Sequence, residues 1–162
     1  MTIWIFLLGV IACSCSSQGN WKHSQINGAE PHFSSQRLSY LASNTFHPLK
    51  FEIIRNSKSC KGYLVTEQKP IPPYAEDLEK AIVHVTIDNM GQSYVVSRYQ
   101  EGYRLLLSQE LLETLIQSLS AGKSITIEVA NHITVLSAEG FSSGYKQFQK
   151  DFHLSKFVHS PF

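Results

Sequence analysis

The sequence has little excess charge of either sign. Lysine and arginine account for 14 of its 162 residues and aspartate and glutamate for 13, which leaves a net charge of +1. Proteins that bind nucleic acids concentrate basic residues on one face, where these residues displace counterions from the phosphates. The balance therefore argues against nucleic-acid binding, and it is typical of a mixed-charge protein surface.

Cysteine is also scarce, and histidine is scattered. The three cysteines form no Cys-x-x-Cys pair, and no two histidines lie four residues apart. Zinc sites and catalytic metal sites are usually marked by such spacings. We therefore expect no metal ion and no cofactor. The histidines are His23, His32, His47, His84, His132, His153 and His159.

The apolar run at the N-terminus is too short to cross a membrane. It extends over residues 3–12 and has about half of the roughly 20 residues that a membrane-spanning helix needs. The first charged residue of the chain is Lys22, and a polar segment, residues 14–20, separates it from the apolar run. Short uncharged runs of this kind are typical of a signal peptide, so we expect the chain to be exported.

The last four residues of this region, Val10-Ile11-Ala12-Cys13, resemble the lipobox of bacterial lipoproteins. The resemblance implies cleavage before Cys13 and lipid attachment to its sulfur, and the following Ser14 implies sorting to the outer membrane. The basic residue that usually precedes such a run is missing, and Ala12-Cys13-Ser14-Cys15 offers a rival cleavage site. We predict a lipid-anchored protein of the cell envelope that faces the periplasm or the cell surface.

Two cysteines remain once Cys13 carries lipid. Cys15 and Cys60 could form a disulfide in an oxidising periplasm. Such a bond would require the segment around Cys15 to fold back onto the domain. We therefore favour two unpaired thiols over the disulfide.

Composition divides the chain into three segments. Residues 1–12 are the predicted lipoprotein signal segment. Residues 13–47 are rich in Ser, Asn, Gln and His without sustained periodicity, and they are predicted to form a flexible polar tether with at most a short helix near Gln36–Leu41. Residues 48–162 carry strong periodic patterns. They are long enough for one hydrophobic core, so we expect a single globular β-rich domain there.

Two helices are predicted inside this domain. Ser108 can cap a helix over Gln109–Leu119, whose leucines recur on one face, and Gly122 can end it. The second helix is predicted from four aromatic residues at helical spacing, which we expect to pack on the sheet: Phe141, Tyr145, Phe148 and Phe152.

Alternating apolar residues predict several short strands, separated by turn residues such as Asn56-Ser57-Lys58-Ser59 and Asp88-Asn89-Met90-Gly91. The predicted fold is α+β: a mostly antiparallel β-sandwich or barrel-like sheet of about seven strands with two short helices. The strands are expected near Leu49–Ile53, Gly62–Glu67, Ala81–Ile87, Ser93–Gln100, Tyr103–Leu107, Ser124–Val129 and Ile133–Leu136, the last two joined around Asn131-His132.

The order of elements in the second half resembles the periplasmic proteins of the invasion-associated locus B family. The resemblance is carried by a helix that ends in Leu119-Ser120-Ala121-Gly122-Lys123, by the strand that follows, and by the closing segment Leu136-Ser137-Ala138-Glu139-Gly140-Phe141. It covers residues 49–150 and implies an antiparallel sheet with short helices. Members of that family usually carry cysteine pairs, whereas this chain has only Cys60 in the region. The resemblance does not assign a catalytic residue to this chain.

Three hypotheses for the function follow. The favoured one is a non-enzymatic, lipid-anchored envelope or surface protein that binds another protein, including in host interaction. The first alternative is an inhibitor of an envelope-attacking enzyme such as lysozyme, with a binding loop at Asn56, Ser57, Lys58 and Lys61. The second is a small hydrolase that uses Ser142, because Gly140–Gly144 matches the G-x-S-x-G pattern. The hydrolase is disfavoured because Asp151 and His153 lie on or beside the same helix, where they cannot form a triad with Ser142.

Overall fold

A computed structural model describes residues 20–26, 34–42, 49–75 and 77–157, and side chains up to residue 150. The signal segment, Cys13 and Cys15 lie outside the described residues, as does the side chain of Phe152. The elements in chain order are β1 Trp21–Ile26, β2 Ser35–Leu41, β3 Lys50–Arg55, β4 Cys60–Val65, β5 Lys80–Ile87, β6 Met90–Tyr99, β7 Arg104–Leu106, α1 Gln109–Ser120, β8 Ile125–Val129, β9 His132–Leu136 and α2 Phe141–Phe157.

The described strands form one antiparallel sheet in the order β1-β2-β3-β4-β7-β6-β5-β8-β9. The prediction of an α+β fold with a mostly antiparallel sheet and two helices is confirmed. The nine described strands belong to a single sheet, which does not close into a barrel.

The two strands beyond the expected seven lie in the segment predicted to be a tether. The tether prediction is wrong for β1 and β2, which are paired along their whole length, and the helix predicted near Gln36–Leu41 is a strand. In β2 the inward-facing residues Gln36, Leu38 and Tyr40 are all buried. The globular domain therefore begins well before residue 48.

Alternation along the strands gives the sheet an inner and an outer face. Both helices lie on the inner face, where α2 packs against β1 and β2, and α1 packs against β4 and β8. A Cβ atom at Gly62 would lie 2.7 Å from Leu112 Cδ1, so this glycine lets α1 approach β4 closely. Buried inner residues include Leu38, Phe51, Leu64, Leu105, Val83, Val85, Ile127 and Leu136.

Residues with local capping and turn preferences lie where the sequence predicted helix ends and turns. The hydroxyl of Ser108 accepts a hydrogen bond of 3.2 Å from the Leu111 N–H. Gly122 has a φ of +80°, the left-handed conformation that ends a helix and that glycine adopts without steric strain. Asp88 and Asn89 have φ of 51° and 64°, as the predicted β5–β6 hairpin requires. The β8–β9 turn lies at Ala130-Asn131, one residue earlier than predicted.

No helix within the described ranges is both long enough and apolar enough to span a membrane.

Candidate interaction surface on the outer face of the sheet

The outer face of β2, β3, β4 and β7 carries side chains that neither helix covers. Strand pairing places Glu52 of β3 between Ser39 of β2 and Tyr63 of β4, and Tyr63 lies opposite Leu106 of β7. Directly paired residues project to the same side of an antiparallel sheet. These four strands therefore present one continuous row across the outer face.

A buried carboxylate lies at the centre of this row. Glu52 is only 4% exposed although it projects to the outer face, because basic side chains from β2, β3 and β7 cover it. Its carboxylate lies 2.8 Å from the Lys50 ammonium, 3.5 Å from the Arg104 guanidinium and 3.9 Å from the Arg37 guanidinium. We call Glu52, Lys50, Arg104 and Arg37 the Glu52 cluster.

The Glu52 cluster has an excess of positive charge. Three cations surround one carboxylate, so the formal charge of the four side chains is +2. The Nε atoms of Arg37 and Arg104 are buried and have no hydrogen-bond partner among the described residues. A buried donor without a partner costs free energy, so the two guanidinium groups are only partly satisfied within the cluster.

Arg104 connects the cluster to a groove on the same face. Its guanidinium carbon lies 3.9 Å from the centre of the Tyr63 ring, close enough for a cation–π interaction. The groove has a volume of about 320 Å³, and no acidic residue lines it. It is thus basic and partly aromatic, which suits an anionic partner. Its lining residues are Lys61, Tyr63, Tyr99, Gln100, Arg104 and Leu106.

The structure does not bring the four residues of the predicted binding loop together. Asn56, Ser57 and Lys58 lie in the turn between β3 and β4, and they line a separate cavity of about 520 Å³ next to Tyr145. Lys61 lies on β4 and lines the outer-face groove instead.

The β3–β4 turn is short and held closed. The carboxamide oxygen of Asn56 accepts hydrogen bonds from the backbone N–H groups of Lys58 and Ser59, at 2.9 and 2.8 Å, and from the Ser59 hydroxyl at 3.2 Å. The Asn56 N–H donates to the Ser59 carbonyl at 3.0 Å. The turn therefore offers a compact surface rather than a long loop that could enter an active-site cleft.

Ser142 is exposed in the first turn of α2. A cavity of about 470 Å³ lies beside this turn, but the serine that lines it is Ser143, together with His23, Gly140 and Gly144. His23 Nε2 lies 2.7 Å from the Gln36 side-chain oxygen. The G-x-S-x-G pattern thus coincides with a helix start that packs closely on β1 and β2, since a Cβ at Gly144 would lie 3.1 Å from Leu38 Cδ1.

Cys60 lies at the start of β4 beside the β3–β4 turn. Burial raises the pKa of its thiol, and the nearby Arg55 charge opposes this only in part. Within the described ranges no three His, Cys, Asp or Glu side chains are grouped so that they could hold a metal ion.

Sequence reasoning missed the Glu52 cluster. Glu52 lies within a predicted strand, but Arg37 fell in the predicted tether, and Arg104 is 52 residues further along the chain. The predicted strand Leu49–Ile53 alternates apolar residues with Lys50 and Glu52, so Glu52 lies at a position expected to face water, and no local signal indicated its burial.

Comparisons of the chain with protein-family models, with curated proteins and with solved structures found no match.

Proposed function

We propose that this chain is an exported lipoprotein of the outer membrane, anchored through Cys13, whose globular domain binds another protein without catalysing a reaction. The main support for the binding role is the Glu52 cluster with its adjoining groove, which lie on a face of the sheet that neither helix covers. The anchor is supported by the lipobox-like residues Val10–Cys13.

The chemistry of the surface favours a partner with an acidic, partly apolar segment. Arginine and tyrosine are enriched at protein interfaces, and both are present here as Arg104, Tyr63 and Tyr99. Tyr99 is 50% exposed and can contact a partner without rearrangement. The excess positive charge would attract an acidic surface and speed its association.

The position of β1 would hold this domain close to the membrane. Trp21, the first residue of β1, follows Cys13 by eight residues, which span at most about 30 Å when fully extended. The domain would therefore meet partners that are themselves in or near the envelope.

The anchor is tested by mass spectrometry of the mature protein. We expect an N-terminal Cys13 that carries acyl chains, and we expect Cys13→Ser to release the protein from membranes. An unmodified chain that begins at Met1 would refute the lipoprotein proposal.

The binding role is tested by placing a photo-crosslinking amino acid at Tyr99 of the full chain in the native cell. We expect a discrete adduct with one protein, whereas the same probe at the exposed Glu113 of α1 should give none. Lys61→Glu should remove the adduct because it reverses a charge in the groove. Lys58→Glu makes the same change in the β3–β4 turn and should leave the adduct intact. Equal adducts from both probe positions, or equal effects of both charge reversals, would refute binding through this face.

A further inference from the structure

The outer face of the sheet is more basic than the composition of the chain suggests. Strand pairing places five basic side chains and one acidic side chain on this face along the described strands β1, β2, β3, β4, β6 and β7. Their formal charge is +4, whereas the whole chain has +1, so all other residues together carry −3. This asymmetry gives one face a positive field, which attracts anionic groups. The six side chains are those of Lys22, Arg37, Lys50, Lys61, Arg104 and Glu52.

The groove beside the Glu52 cluster holds polar groups that are still free to bind a partner. Within the described residues the Lys61 ammonium forms no ion pair and no hydrogen bond. In the same part of the chain no hydrogen bond is made by the hydroxyls of Tyr63 and Tyr99 or by the carboxamide of Gln100. Ammonium and phenol groups donate hydrogen bonds. The groove therefore offers several donors, and no acidic residue lines it.

The register of β4 and β7 gives the groove a long axis that follows the strands. Tyr63 and Leu106 are directly paired and lie in its middle. Lys61 lies two residues before Tyr63, and Arg104 lies two residues before Leu106. Because the two strands are antiparallel, these cations come from opposite ends of the groove, four residue steps or about 13 Å apart along the strands. The groove thus has a basic residue at each end and an apolar middle.

One end of the groove is held in place by the protein itself. Tyr99 ends β6, and the next residue, Gln100, has a φ of 51°. Outside glycine this left-handed conformation is uncommon and persists only where the surrounding structure holds it. The Arg98 guanidinium supplies this hold, because it donates hydrogen bonds to the Glu101 carbonyl and to two carbonyls of the β4–β5 connection. A partner that binds here therefore does not have to order this turn.

We propose, resting on the protein-binding role proposed above, that the partner lays an extended segment along this groove, with acidic residues at its first and fifth positions and an apolar residue at the third. Alternate side chains of an extended segment point to the same side and lie about 6.8 Å apart, which matches the alternate residues of the strands below. One carboxylate then meets Lys61, and the apolar side chain packs on Leu106 and Tyr63. The second carboxylate meets Arg104 and the Tyr99 hydroxyl.

The Glu52 cluster has a supporting part in this recognition. Glu52 lies 3.5 Å from the Arg104 guanidinium, which also lies over the Tyr63 ring, so Arg104 is fixed beside the groove before a partner arrives. Arg37 and Lys50 contact the same carboxylate, and neither lines the groove. We therefore expect recognition to depend on the two cations of the groove, and much less on the other cations of the outer face.

A synthetic peptide with blocked ends, Glu-Thr-Leu-Thr-Glu, tests this pattern when a photoreactive leucine analogue occupies its middle position. The peptide is irradiated with the full chain in detergent-solubilised membranes, and the attachment site is mapped by mass spectrometry. The control peptide, Thr-Glu-Leu-Glu-Thr, has the same composition and charge, but when extended it places both carboxylates on the side opposite to leucine. We expect the first peptide to attach close to Tyr63 and Leu106, at a concentration several times lower than the control requires.

Two charge-neutralising variants separate recognition in the groove from general attraction. Lys61→Gln should weaken the labelling several-fold, because it removes the cation at one end of the groove. Lys22→Gln removes the same charge from the same face, three strands away on β1, and should leave the labelling nearly unchanged. Both side chains are exposed, so neither variant disturbs the core. Equal labelling by the two peptides, or equal effects of the two variants, would overturn the proposal, since only a diffuse positive field would remain.

The peptide experiment and the cellular crosslinking experiment fail independently. A discrete adduct at Tyr99 in cells, together with equal labelling by the two peptides, would refute the alternating segment and leave protein binding through this face intact. Specific labelling by the alternating peptide, without any adduct in cells, would support the recognition pattern and count against the protein-binding role.

Discussion

The indole Nε1 of Trp21 donates a hydrogen bond of 2.8 Å to the backbone carbonyl of Ser137. The bond joins β1 to the residue that follows β9, 116 residues further along the chain. The same indole packs edge-on against Phe141 of α2, with ring centres 4.8 Å apart, and lies 4.9 Å from the Tyr40 ring. Trp21 therefore packs β1 against the hydrophobic core.

Trp21→Phe should lower the free energy of unfolding by about 0.5–1.5 kcal/mol, because it removes this hydrogen bond and keeps an aromatic ring. Urea unfolding of a chain that begins at Ser14 measures the change. The neighbouring Lys22→Ala changes an exposed side chain and should stay within about 0.5 kcal/mol. Equal values for the two variants would mean that β1 contributes little to stability.

Elements with local signals were predictable from the sequence, and the first two strands were not. The helix α1 has a capping serine, a leucine face and a terminating glycine within 15 consecutive residues, Ser108–Gly122. In β2 only Leu38 and Tyr40 are apolar among the buried inner residues, since the third is Gln36. The burial of β2 depends on α2, which begins 100 residues after β2 ends. Although β2 also pairs with β3, which begins nine residues later, its own residues carry no pattern that distinguishes a short polar strand from a linker.

The candidate site was less predictable than the fold for a related reason. The Glu52 cluster requires Arg104 of β7 to lie near β3, and this depends on β7 pairing with β4 rather than with a strand that follows it in sequence. Non-local pairing of this kind is not encoded in the alternation of any single strand. By contrast, the tight turn Asn56–Ser59 follows from local Asn and Ser chemistry, and it was correctly placed as a turn.

The aromatic face of α2 gives a second test of the core. Phe148 is 1% exposed and stacks near Tyr145, with ring centres 5.8 Å apart, as the helical spacing of the aromatic residues predicted. Phe148→Ala should lower the free energy of unfolding by about 3–5 kcal/mol, because it opens a cavity between α2 and the sheet. Lys150→Ala, on the exposed side of the same helix, should change it by no more than about 0.5 kcal/mol. Urea unfolding again separates the two, and similar midpoints would show that α2 is not held by its aromatic face.

The raised pKa of Cys60 leads to a prediction about its reactivity. The thiolate is the reactive form, and burial disfavours it, so alkylation of Cys60 should be slow at neutral pH. The rate should continue to rise at alkaline pH values where an exposed thiol has already reached its plateau. Iodoacetamide labelling followed by mass spectrometry measures both, in a chain with Cys13→Ser and Cys15→Ser.

The control for this measurement replaces Cys60 by serine and adds Ser57→Cys, which is exposed in the same β3–β4 turn. If both thiols react at the same rate over the whole pH range, Cys60 is not shielded from solvent and its pKa is not raised.

The Glu52 cluster should depend on its carboxylate for stability. Glu52→Gln keeps the shape of the side chain but removes the charge that holds Lys50 at 2.8 Å and Arg104 at 3.5 Å. Hydrogen bonds to charged groups contribute about 1.5–3 kcal/mol when buried. Because both cations are about one-quarter exposed and are partly screened by water, we expect a loss of about 1–2 kcal/mol in the free energy of unfolding.

Glu128→Gln makes the same chemical change at an exposed outer-face position on β8 and should be nearly neutral. Urea unfolding of the two variants decides the matter: if Glu52→Gln is as neutral as Glu128→Gln, the cations are stable without their carboxylate, and Glu52 does not organise this surface.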